Sequence, residues 1–433
     1  MTIADRYGLP ISTSSATAAA SYQEGMDRLL SWGSGADEAF AAALVADGDF
    51  ALAHAGLALW SFFLGDGQAA REAIARARQH AAGATRRERQ HVEALGAIVA
   101  GETARGLALV DAHVVEFPRD ALLVNQASSS IGFGGRADRE AERLAFVERL
   151  ASAYGDDWWF QSALAFTYHE VGRLEESRRL SERSLEQYPA NANASHNIAH
   201  VCFETSDHDE GVAFLEDWLA GYDRRAPYHC HLAWHLALFE LQRGQPERAL
   251  AIYDRDIADS SNARLTVMDG AALLWRFALY GGHREPLPWR PLAEVATRVA
   301  RPGFVFGDIH AALAYAGSGD EAALDRLIDG LRALDAKGHP IAGCVALPLV
   351  LGIAAFAAGD HAGALGHLEP IDGEIHRMGG SHAQWEVFEE TMVVCYLRLG
   401  RHGDARRLLR RRLERRPSRQ DLKWLSQAET AIA

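Results

Sequence analysis

Apolar residues recur every three or four positions through most of the chain. Clear examples are ALAHAGLALWSFFLG at 51–65, QSALAFTYHEVG at 161–172 and HLAWHLALFELQRG at 231–244. That period is helical, and the stretches are too long and too rich in Ala and Leu to be strands. Alternating Val/Ile/Thr runs closed by Asn-Gly turns are nearly absent, so the expected class is all-α.

Short turns punctuate these stretches. They are LGDGQ at 64–68, AGETARG at 100–106, GFGGR at 132–136, VGR at 171–173, and a serine turn, ETSD, at 204–207. QRGQ at 242–245, YGGH at 280–283, GSGD at 317–320, AAGD at 357–360 and RLGRHG at 398–403 continue the series. Intervals of roughly 30 to 40 residues are those of tetratricopeptide-like helical hairpins. The fullest copy runs from Trp158 to Pro189, with Leu164, Ala165, Tyr168 and Gly172 as interlocking small and large positions. The expected architecture is an α-solenoid of about ten hairpins plus a short terminal helix. A tail covers 1–16 and one continuous superhelical domain covers 17–433, closed enough to hold a central concave pocket.

In such an array the first helix of each hairpin lines the inner side. Two histidine pairs at i,i+4 spacing fall on first helices, His196 with His200 and His231 with His235, about 35 residues apart. Each pair shares one helix face, and the repeat interval sets the pairs side by side. Asp269, Arg276, Asp308, His310, Ser381 and Gln384 lie at corresponding first-helix positions, so the polar site falls mainly within 160–390.

Two chemistries compete for this constellation. Histidines at i,i+4 suit a zinc site, with His200, His231 and His235 giving nitrogens and Asp269 or Asp308 a carboxylate. No HExxH motif is present, so no glutamate is placed as a base, which favours metal-free acid/base work by histidines oriented by aspartates. Asp308 and His310 point to different helix faces at i,i+2, so cross-hairpin partners are required. No Gly-rich phosphate loop follows a strand, and no nucleotide cofactor is expected. The Ser128–Ser130 cluster lacks a strand-turn-helix elbow, and the tryptophans Trp158, Trp159, Trp234, Trp275 and Trp385 read first as packing.

Composition narrows the partners. A formal net charge of −14 argues against a nucleic-acid backbone or an anionic membrane. The one basic run, Arg406 to Arg419, reads as the solvated face of a late helix. Four scattered cysteines without CxxC spacing point to a reducing compartment. With no basic-then-apolar leader and no apolar run of membrane length, the cytoplasm is the expected location.

RRERQHVEA at 86–94, HNIAH at 196–200, HLAWHLAL at 231–238, Asp269 with LLWR at 273–276, FGDIH at 306–310 and GGSHAQ at 379–384 together resemble the tetratricopeptide repeat protein 38 family. The resemblance spans about Thr85 to Glu390 and includes all ten positions selected above. It departs at Trp385-Glu386, where the family tends to have Arg-Asp, and at Ser128, where animal members can carry histidine. It implies a helical-repeat fold and no settled reaction.

The function expected from these features is an enzyme on a small polar molecule, of hydrolase or lyase/isomerase type. His200, His231, His235, Asp308 and His310 would be catalytic, with a divalent metal left open. His196, Asp269, Arg276, Ser381 and Gln384 would bind substrate. The alternatives are a non-catalytic scaffold holding a peptide or protein in its groove, and a small-molecule or metal sensor. Self-association is left open.

Overall fold

The computed structural model describes residues 3–281 and 286–431, so the end of the YGGH turn lies outside the described residues. Among them are twenty-four α-helices, and the sole β feature is an isolated bridge between Ala4 and Pro10. The fold is all-α, built of tetratricopeptide-like hairpins in which consecutive helices pack against each other.

Local chemistry sets the helix ends. Ser15, Asp66, Asp157, Asn262, Asp320, Asp360 and Ser418 each accept a hydrogen bond from a first-turn amide. Thr85 and Glu88 form a capping box. The turns expected from glycine spacing are real: each holds a residue in the left-handed region, for example Gly172 at φ 79°. In ETSD that residue is Ser206, at φ 63°, where a side chain replaces the usual glycine.

The chain forms two compact units. The first comprises Met1–Gly134, Asp138–Asn197 and Arg225–Tyr228. Its hairpins close by fitting aromatic rings over glycines. A Cβ on Gly56 would sit 2.6 Å from the Phe40 ring, so helix Ala51–Leu64 can approach helix Ala36–Ala46 only with glycine there. The segment before Ala16 is packed down, with Tyr7 and Ile11 buried. Its Asp5 carboxylate meets Arg87 at 3.0 Å. Arg87 also donates to Asp120 at 2.9 Å, and the same carboxylate accepts from His91 and His113 at 3.0 Å each. The Arg87 guanidinium and the two imidazoles outweigh burial and hold Asp120 well below the usual carboxylate range.

The second unit comprises Gly135–Ala137, Ile198–Arg224 and His229–Ala433. Helix Ala263–Tyr280 is its hub, packed against His229–Gln242, Val305–Ser318 and His382–Arg398. Every residue of His229–Gln242 is buried. Phe239 packs where a Cβ on Gly211 would lie 2.5 Å from its ring, the same glycine-aromatic fit as in the first unit. Three segments of this second unit depart from the α-helix: π-turns at Tyr253–Ile257 and Ala342–Ala346 and a 3-10 stretch at Glu369–Met378.

The basic run needs correcting. Arg407, Arg410 and Arg411 are solvated, but Arg412 and Arg416 are buried. Arg412 donates to Asp421 at 2.8 Å and Glu389 at 2.7 Å, and Arg416 donates to Glu386 at 2.6 Å. Leu408, Leu409 and Ala405 face inward on the same helix, which puts Arg412 on the apolar side and forces it to find carboxylates. Removing Arg412 would leave Glu386, Glu389, Glu390 and Asp421 buried and short of a cation. Arg412→Ala is therefore expected to cost roughly 3–5 kcal/mol in urea unfolding, against about 0.5 kcal/mol or less for the exposed Arg407→Ala.

Candidate functional site

The histidine pairs meet as their spacing implies. Helix Ala192–Thr205 carries His200 and, one turn earlier, His196. Helix His229–Gln242 carries His231 and His235. The rings of His200 and His235 are 4.5 Å apart, centre to centre, and those of His231 and His235 are 5.0 Å apart, both edge to face. One ring nitrogen from each of His196, His200, His231 and His235 lies within 4.8 Å of the others. All four are buried, His235 completely.

Asp269 orients one member of the group. His231 Nδ1–H donates to both of its carboxylate oxygens at 3.0 Å, which leaves Nε2 as the lone-pair nitrogen. Trp234 stacks on the other side of His231, centroids 5.3 Å apart, and clamps the ring. Cys230 also reaches toward Asp269, at 4.0 Å, and burial pushes its thiol well above the usual range, so it stays protonated.

The remaining expected site residues do not join this group. Arg276, expected to hold a substrate anion, pairs with Glu390 at 3.1 Å and donates to the Ala383 carbonyl at 2.7 Å. Tyr280 donates to the other Glu390 oxygen at 2.8 Å. Gln384 accepts from the Ser381 amide at 3.1 Å and caps its own helix. His310 Nδ1–H donates to the Phe306 carbonyl at 2.7 Å, and its ring sits between Phe306 and Phe388. Burial depresses it to about 4, so it is a neutral packing histidine near neutral pH. Asp308 faces elsewhere and accepts from the Gly303 amide at 2.9 Å. Asp269 excepted, these groups act as internal struts.

One feature of the first unit went unread in the sequence. Phe63, Trp32, Tyr228, His196 and Phe166 form a continuous row of rings. Trp32 contacts Phe63 edge-on at 4.0 Å and stacks on Tyr228 at 4.6 Å. His196 lies edge-on to Tyr228 at 5.1 Å and stacks on Phe166 at 5.7 Å. Arg143 covers Phe166 at 4.7 Å while bonded to Ser128 and Glu170 at 2.9 Å. His196 is buried, and the other rings and Arg143 are partly buried. Trp32 ends its helix at φ 61°, a costly conformation for a bulky residue. A tryptophan at a helix end was the available signal, but of its two ring partners Phe63 lies a hairpin further on and Tyr228 far beyond it in the chain.

No family model matches the chain. Solved structures of similar fold include a tetratricopeptide repeat protein from Parabacteroides merdae ATCC 43184, 11% identical, covering 61% of this chain and 98% of that one, with a TM-score of 0.39. Yeast Tom70 is 13% identical over 96% of this chain and 95% of its own, with a TM-score of 0.32. The Cut9–Hcn1 hetero-tetramer of APC/C gives 12%, 87%, 76% and 0.37 respectively. The likeness is one of helical-repeat architecture. Arg276 and His310 are buried, and with Asp308 and Gln384 they are bonded to other groups of the protein: Glu390 and the Ala383 carbonyl, the Phe306 carbonyl, the Gly303 amide and the Ser381 amide. The hydrolase or lyase expectation, with a small polar substrate, is corrected on that ground.

Asp308 provides a titration test of the strut reading. Burial raises its carboxyl to about 7, against partial compensation from the Gly303 amide and Arg264. Between about pH 4 and 7 the folded state keeps a proton that the unfolded state has released, so Asp308 removes stability as pH rises through that window. His310 has the opposite sign: its contribution increases with pH from about 4 up to its unfolded value. Asp308→Asn keeps an acceptor for Gly303 and cannot ionise. Its melting temperature relative to wild type should rise between pH 5 and 8, and a difference independent of pH would refute the assignment.

Proposed function

We propose that this chain is a non-catalytic helical-repeat scaffold that binds an extended segment of a protein partner along the row formed by Phe63, Trp32, Tyr228 and Phe166. We also assign it to the tetratricopeptide repeat protein 38 family on the motifs quoted above. The row itself carries the reading. Large rings bury well, but here four of them lie in one row and are each only partly buried. Stiff amphipathic rings give contact area at small entropic cost, which suits recognition of aromatic or aliphatic side chains on an extended peptide. Arg143, seated over Phe166, adds polar contacts at one end.

A peptide array screened with the full chain would test this, followed by affinity measurement on the selected segments. Trp32→Gly removes the central ring while supplying the residue that tolerates the left-handed backbone. Relief of roughly 1–2 kcal/mol of backbone strain offsets the lost ring burial, so the melting temperature should hardly move. Binding of selected peptides should fall about tenfold or more in Trp32→Gly and again in Phe166→Ala. Peptides that bind both variants as well as wild type would place the binding surface elsewhere.

A further inference from the structure

We propose that His196, His200, His231 and His235 together bind one divalent late first-row transition-metal ion, zinc by preference, as a structural centre. The geometry starts from helix spacing: two i,i+4 pairs present four imidazoles from two helices to one point, with a ligand atom of each within 4.8 Å of the rest. A tetrahedral zinc with Zn–N bonds of ~2.0–2.1 Å needs nitrogens roughly 3.3 Å apart, a contraction that small side-chain rotations supply. Neutral imidazole is a borderline donor that suits zinc, copper, nickel and iron, and four ligands in a closed site match structural zinc.

The surroundings have what such a centre needs beyond its ligands. Asp269 takes the Nδ1 proton of His231 in two hydrogen bonds at 3.0 Å, which fixes the tautomer, turns Nε2 toward the group and raises its basicity. The same carboxylate contributes a negative charge against the dication. Tyr228 does similar work for His196, its hydroxyl lying 3.4 Å from Nδ1. Trp234, fully buried against both His231 and His235, excludes water and limits ring movement. Four fully ligating side chains leave no position for substrate, consistent with a centre that holds helix Ala192–Thr205 to helix His229–Gln242 and performs no reaction. Tyr228 and His196 belong to both features, but metal uptake and peptide affinity are measured apart: Trp32→Gly, which tests the peptide row, should leave zinc uptake unchanged.

The test uses the full chain without a histidine tag, stripped with chelator and then titrated with Zn2+ or Co2+ alone. Wild type should take up close to one ion per chain against a competing chelator, melt at a higher temperature with zinc, and give the intense visible band of tetrahedral Co2+. His200→Ala and His235→Ala should lose the ion and the band. Should those variants fail to fold, Asp269→Asn keeps every ligand and should weaken zinc affinity about 10–100-fold. Wild type that binds no competitively held ion overturns the proposal. So does a weak octahedral Co2+ spectrum, or Asp269→Asn affinity equal to wild type.

Discussion

Charge buried inside an Ala- and Leu-rich helical stack must be met by opposite charge, and this requirement organises both units. Arg87 meets Asp5 and Asp120, Arg276 meets Glu390, and Arg412 meets Glu389 and Asp421, all with side chains close to fully buried. Each pair joins residues from different segments of the chain. An isolated charge at these depths would cost several kcal/mol, so a hairpin misplaced by one turn loses its partner and pays that cost. The apolar periodicity brings helices together, and the ion pairs select how they register.

This constraint also explains why so many residues resemble an active site in the sequence. Arginine, aspartate, glutamine and histidine on inner helix positions are what a catalytic pocket would require, and equally what a buried strut requires. Arg276 is in the right place to hold an anion, and the anion it holds is Glu390. Gln384 would suit a substrate hydroxyl, but it caps the start of its own helix. The distinction lies in whether the polar atoms end on one another or on space for a ligand.

Two places do not follow the strut pattern. At the histidine group, four side chains of one chemical type converge, and Asp269 serves His231. Along the aromatic row, four large rings are only partly buried, and Trp32 keeps a positive backbone angle. We read the first as a proposed metal centre and the second as a proposed contact for another chain. They use different physics, coordination in one case and apolar contact in the other, and no step of chemistry connects them.

The sequence by itself determined the helical class and the hairpin turns. These follow from interactions within about four residues: helical apolar period, caps such as Thr85 with Glu88, and the need for a left-handed residue at each turn. It also determined that His200 and His235 would meet, because i,i+4 spacing and the repeat interval together fix both face and height. Tertiary structure alone decided the partners. Spacing places His310 on an inner helix but cannot say that it ends between Phe306 and Phe388 and not beside His235. A basic run likewise gives no sign that Arg412 turns inward to carboxylates while Arg411 stays in water, because burial depends on which helix is packed opposite. Local periodicity is a property of the backbone and is written in the neighbouring residues. The pairing of a buried polar atom is settled by groups tens to hundreds of residues away, brought within 3 Å only by the fold.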